Sequence, residues 1–200
     1  MIVLGVLISG SGSNLQAIID AIANNELDAS VATVISDRED AYGLVRAREV
    51  GITACFIDPR EYPDSATFNR EIRDTFIDAG VDYIVMAGYM KLLGKSVLDA
   101  FPNHVLNLHP ALLPSFKGAH AIEDALGYGA KVTGVTVHFA NEDFDCGAII
   151  AQTPVEIEEG DTPESLGMRI HGVEHVLYPR VLQQIARDKI HIVDNIVHIY

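Results

Sequence analysis

The chain has no tryptophan and only two cysteines, Cys55 and Cys146. These lie in unrelated segments with no CxxC or Cys/His ligand spacing, so neither a disulfide framework nor a structural zinc site has support, and a reducing cytoplasm is the expected setting. Basic residues are also scarce. Fourteen Lys and Arg stand against 28 Asp and Glu, giving a formal net charge of −14. That charge opposes loose attraction to nucleic acid or anionic membranes, though not a small phosphate held by local donors. No apolar run approaches the roughly 20 residues of a membrane helix. The opening MIVLGVLISG lacks a basic leader and runs into glycine and serine, so it reads as a buried strand rather than a signal peptide. Repeats, low-complexity tracts and linkers are absent as well, and residues 1–200 read as a single domain.

What is present is an alternation of short apolar runs with amphipathic stretches. Residues 2–8, 31–36, 53–57, 82–87 and 104–109 read as strands, and 14–26, 41–50 and 65–80 as helices, the last closed by Gly80. This pattern predicts an α/β fold: a mixed, mainly parallel sheet with helices on both faces. Beyond it, 120–129 reads as a helix, and 133–140 and 147–157 as strands that extend the sheet antiparallel. Residues 164–189 read as a long helix containing Pro179, with Thr162 and Pro163 as its cap and first turn behind a solvated acidic turn of Glu158, Glu159 and Asp161. Residues 189–200 read as a hairpin turning at Asp194 and Asn195.

Three features carry chemistry. In SGSGSNLQAI, residues 9–18, glycines clear the turn between the first strand and helix. Free amides at that helix start suit a phosphate; the alternative is an ordinary turn capped by Ser13 or Asn14. Leu15 stands where a dinucleotide fingerprint needs a small residue, although Asp37 lies where a ribose-binding acid would sit. In NLHPALLPSFKG, residues 107–118, Asn107 and His109 share one face of a strand that Pro110 ends, at the sheet edge where α/β folds bind ligands. An amide and an imidazole there suit a carbonyl and its oxyanion, though for an isolated pair bonding to the nearby loop is the simpler reading. In HFANEDFDCGAI, residues 138–149, Asp145 precedes Cys146 and Gly147; near His109 it would hold the imidazole protonated and raise its pKa. His138 points toward the same region as a supporting group or a packed strand residue, and His120 opens a helix. His171 and His175 lie one helical turn apart but outside any HExxH frame, so no metal is expected.

These three segments together resemble the phosphoribosylglycinamide formyltransferase family, the folate-dependent glycinamide ribonucleotide transformylases of purine synthesis. The likeness runs from the first strand to EHVLYP near residue 179. It implies a Rossmann-like half, 1–100, continued by a catalytic and folate-binding half, 101–200, within one formyltransferase domain. It implies Asn107, His109 and Asp145 as the catalytic group, and substrate phosphate at Gly12, Ser13 and Asn14 with Glu174 nearby. Met90, Lys91, Leu92 and Leu93 of GYMKLL would line the folate pocket, and the loop Asn141, Glu142, Asp143 and Phe144 would close over the pterin. The co-substrate implied is 10-formyltetrahydrofolate, without a metal, and the other partner glycinamide ribonucleotide, with the chain a monomer or homodimer. Four positions depart from the pattern: Phe144 and Cys146 in the acidic loop, Lys91 in place of a common arginine, and Ser65 where relatives carry a basic residue for the folate tail.

Overall fold

Five apolar runs form the parallel part of a seven-stranded sheet: β1 (Ile2–Ile8), β2 (Ala29–Ser36), β3 (Thr53–Phe56), β4 (Tyr83–Met86) and β5 (Val105–His109). Two further strands, β6 (Val132–Phe139) and β7 (Ile149–Glu156), continue it antiparallel, in the order β3-β2-β1-β4-β5-β6-β7. These coordinates are a computed structural model describing residues 1–143 and 145–200. The strands read from alternation therefore sit where they are expected, with boundaries shifted by one or two residues.

The connecting helices are α1 (Ser13–Ala23), α2 (Tyr42–Glu49), α3 (Ser65–Asp78), α4 (Lys95–Ala100), α5 (Ala121–Tyr128) and α6 (Pro163–Ala186). On one face, Ile18, Leu44, Leu166 and Leu182 from α1, α2 and α6 pack against Leu4, Val6 and Leu106 of the sheet. On the other, Phe68, Ile72 and Phe76 of α3 and Val97 of α4 pack against Leu7, Ile35 and Ile84. Fully burying each such side chain stabilises the fold by about 1.5–3 kcal/mol. Alternate residues of one strand feed opposite cores, which is why these strands read as continuous apolar runs.

The helix α6 runs through Pro179 without interruption, and its start is capped by Thr162 and Ser165 with Pro163 in the first turn. Asp161 departs from the expected solvated turn: its carboxylate is buried against Arg169 and Ser165, which hold it well below the ordinary carboxylate range. The terminal hairpin pairs β8 (Ile190–Val193) with β9 (Ile196–Ile199), and Asp194 and Asn195 turn it with positive φ. Two elements have no counterpart in the sequence reading, α4 and a single 3-10 turn at Pro59–Glu61.

The topology positions the site. From β1 the chain winds outward through β2 to β3, then returns to place β4 on the other side of β1. The loops after β1 and β4 consequently diverge and leave a crevice at the strand ends. Asn107 and His109 close β5 beside that crevice, and among the described residues no helix is long and apolar enough to cross a membrane.

Candidate active site

The turn after β1 is shaped by Gly12, which has φ +69° and whose Cβ, were there one, would lie 2.5 Å from the Gly43 Cα. Gly12 itself precedes α1, and neither Ser13 nor Asn14 caps the helix, so the first-turn amides carry no side-chain partner. Arg46 of α2 braces the loop, donating from Nε to the Ser11 carbonyl at 2.9 Å and from a terminal nitrogen to Gln16 at 3.0 Å. Nothing in the sequence marked Arg46, because the sequence does not reveal that α2 packs beside this turn.

Asn14 is buried and donates from Nδ2 to Glu174 Oε2 at 2.8 Å, while its Oδ1 has no partner among the described residues. His171 Nδ1 meets the same carboxylate oxygen at 2.9 Å. That hydrogen bond raises the His171 pKa against the opposing effect of burial. A buried carboxylate and an orphan amide oxygen thus face one region together, a pairing suited to hydroxyl or ammonium donors.

Asn107 and His109 share one face of β5, as period-two geometry requires, and Leu106 packs into the core on the other. Across the strand pair Asn107 stands opposite His138. Asp145 reaches this group from the loop after β6, with φ +53°, a backbone conformation rarely held by residues other than glycine. Its Oδ2 lies 3.4 Å from His109 Nδ1 and accepts the Gly118 amide at 2.9 Å. Its Oδ1 lies 3.6 Å from His138 Nε2 and 3.5 Å from Asn107 Nδ2. The glycine beside this turn is obligatory, since a Cβ at Gly147 would sit 1.6 Å from the Phe139 carbonyl oxygen.

Proton placement follows from the partners. His138 Nδ1 faces the Phe139 carbonyl at 2.9 Å and donates to it, while Nε2 lies 3.2 Å from Asn107 Nδ2 and 3.6 Å from Asp145 Oδ1. His109 Nε2 is 2.7 Å from the Phe116 carbonyl and likewise donates, so Nδ1 is the nitrogen open to proton exchange. Burial lowers the His109 pKa, and outweighs the upward pull of the Asp145 charge and the Phe116 carbonyl. Asp145 does pull the pKa up but, contrary to expectation, it does not hold the imidazole protonated. Burial pushes the Asp145 carboxyl up, but His138, the Gly118 amide and His109 together hold it below its ordinary value. The resting pair is therefore a carboxylate beside an imidazole that has two acceptors around it and room for one more proton.

These groups open onto a cavity of about 270 Å³, whose wall includes Asn14, Asn107, His109, His138, Asp145 and Glu174. The turn after β4 also contributes to it: Met90, Lys91, Leu92 and Leu93 all line it. Asn141 and Asp143 line it too, whereas Glu142 turns to Lys95 at 3.4 Å and does not. Gly12 and Ser13 lie outside the lining, next to Asn14. Phe144 falls outside the described residues. Ser65 lines a second hollow with Tyr62, Phe68, Lys91 and Leu92, so Lys91 and Leu92 border both.

The description "Formyl transferase" matches residues 3–182, most of the length and all of the cavity's lining. The chain belongs to the formyl transferase family. Among curated relatives of this formyl transferase, phosphoribosylglycinamide formyltransferase of Bacillus subtilis is 39% identical over 90% of this chain and 92% of its own length. Among solved structures, glycinamide ribonucleotide transformylase 1 from Symbiobacterium toebii superposes with a TM-score of 0.98 at 47% identity, covering 100% of this chain and 94% of the other. Phosphoribosylglycinamide formyltransferase from Bacillus halodurans gives 0.89 at 41% identity, covering 92% and 94%.

Proposed function

We propose that this formyl transferase moves the formyl group of 10-formyltetrahydrofolate to the amine of glycinamide ribonucleotide, as a single cytoplasmic domain spanning residues 1–200. The observation that carries the reading is the convergence of Asn107, His109 and Asp145 in one cavity that is also lined by Glu174 and the 90–93 turn. The ribonucleotide phosphate sits at the uncapped start of α1, with Gly12, Ser13 and Asn14, where free amides and the helix dipole favour an anion. Glu174 and the orphan Asn14 Oδ1 accept from the ribose. Met90, Lys91, Leu92 and Leu93 pack the folate ring system, with Asn141 and Asp143 opposite, and the tail leaves over Ser65.

The amine nitrogen attacks the formyl carbon, and the carbonyl π pair moves onto oxygen. Asn107 Nδ2, half-buried near the end of β5, donates to that oxygen. His109 Nδ1 takes the proton released by the amine, and the imidazolium so formed is stabilised by Asp145 at 3.4 Å. When the tetrahedral intermediate collapses, the carbon–N10 bond breaks and the proton passes from Nδ1 to N10. The depressed His109 pKa suits both transfers, since the group starts neutral and gives its proton up readily.

The test is acceptor dependence. Purified protein mixed with 10-formyltetrahydrofolate should release tetrahydrofolate only when glycinamide ribonucleotide is present. Release with water alone would make the protein a formylfolate hydrolase, and release with another amine only would reassign the acceptor.

A further inference from the structure

Asp37 stands about where a ribose-binding acid would belong in a dinucleotide fold, yet neither it nor Ser9 lines the cavity. Its side chain is only 8% exposed, and its Oδ1 accepts the Ser9 hydroxyl proton at 2.6 Å. The same Ser9 oxygen accepts the Met90 amide at 3.1 Å, and the Ser9 amide donates to the Gly88 carbonyl at 3.1 Å. Lys91 Nζ approaches Asp37 Oδ2 at 3.9 Å. One serine at the end of β1 is thus bonded to the ends of β2 and β4 at once.

Met90 is 65% exposed, so packing alone does little to hold it. Leu93, 3% exposed, is packed into the core and fixes the far end of this turn, so at the near end the height of the wall is set by backbone bonds, of which the Ser9 bond to Met90 is one. The Asp37 carboxylate orients the serine: a hydroxyl whose proton is committed to a charged acceptor presents its lone pairs to the amide behind it. A buried carboxylate also costs less when a donor and a cation both face it, which Ser9 and Lys91 supply.

We infer that Ser9 and Asp37 are a positioning pair that anchors the near end of the folate-side wall, at Met90 and Lys91, to the end of β1. Neither touches a reacting atom; both act through the Met90 amide. In naming folate as the occupant of that wall, the inference rests on the proposed formyl transfer.

The test is Ser9→Ala, with Asp37→Asn as the conservative control. Losing one charge-supported hydrogen bond is expected to raise KM for 10-formyltetrahydrofolate about tenfold, while kcat and KM for glycinamide ribonucleotide stay within about twofold. Asp37→Asn keeps an oxygen to accept from Ser9 and should hold the folate KM within about threefold. Amide hydrogen exchange gives a readout free of substrate: the Met90 amide should exchange roughly tenfold faster in Ser9→Ala and near the parent rate in Asp37→Asn. An unchanged folate KM with unchanged Met90 exchange overturns the inference. So does an equal rise in both KM values, which would mean that the whole β1 turn had loosened. If the parent enzyme does not turn over formylfolate, the functional proposal fails by itself, and Met90 exchange still decides whether the anchor exists.

Discussion

Replacing Asp145 by asparagine removes one charge from a buried group while keeping its shape. Both Asp145 and His109 side chains are 5% exposed, and the facing atoms are 3.4 Å apart. At an effective dielectric near 20, a unit charge pair at that distance is worth about 5 kcal/mol. The amide dipole of asparagine recovers part of this, and its oxygen still accepts the Gly118 amide, so roughly 3–4 kcal/mol of imidazolium stabilisation is lost. At about 1.4 kcal/mol per tenfold, kcat should fall about 10²- to 10³-fold, with both KM values within severalfold of the parent. Without the anion His109 binds its proton less tightly, so the acid limb of the pH–rate profile should move to lower pH. The assay is tetrahydrofolate absorbance under saturating substrates, with circular dichroism confirming the fold. A folded Asp145→Asn protein within fivefold of the parent kcat would refute the reasoning, because the charge would then not be supporting the imidazolium.

Three other outcomes test the surrounding structure. Tyr89 is buried and its hydroxyl has no partner among the described residues, so Tyr89→Phe should raise unfolding free energy by about 1 kcal/mol and Tm by roughly 2–4 °C; a loss of stability would reveal an unseen partner. Gly147→Ala drives a methyl into the Phe139 carbonyl, so denaturant unfolding should show a loss of about 3 kcal/mol or more, and a change under about 0.5 would contradict the geometry. The His109 pKa is depressed in the folded chain, so between pH 6.5 and that lower value the unfolded state binds more protons. Stability should therefore fall as pH drops through this window, and less steeply in His109→Gln when unfolding is measured between pH 7.5 and 5.

Much of the fold was legible because buried parallel strands leave continuous apolar runs between amphipathic helices. The six-residue α4 was not, since it spans too few turns to show a period, and the turn at Pro59–Glu61 still less. At the site, the shared face of Asn107 and His109 follows from strand periodicity. That Asp145 reaches them does not, because it depends on β6 lying antiparallel beside β5 and on a positive φ that no residue type announces. The direction of the His109 pKa was misjudged for a related reason. The family pattern supplies the carboxylate, whereas the depth of burial that outweighs it is a property of the assembled fold. Arg46 and Ser9 were hidden in the same way, each defined by a contact between elements distant in the chain.

The central claim is that this site carries a formyl carbon from folate to the glycinamide nitrogen through His109. A single-turnover reaction with ¹³C-formyl-labelled 10-formyltetrahydrofolate and glycinamide ribonucleotide, followed by NMR, tests it directly. The parent enzyme should place the label on the glycinamide nitrogen in one-to-one yield with tetrahydrofolate, and a folded His109→Ala variant should be slower by at least about 10²-fold. Label appearing as free formate in the parent, or His109→Ala transferring it at near the parent rate, would contradict the account.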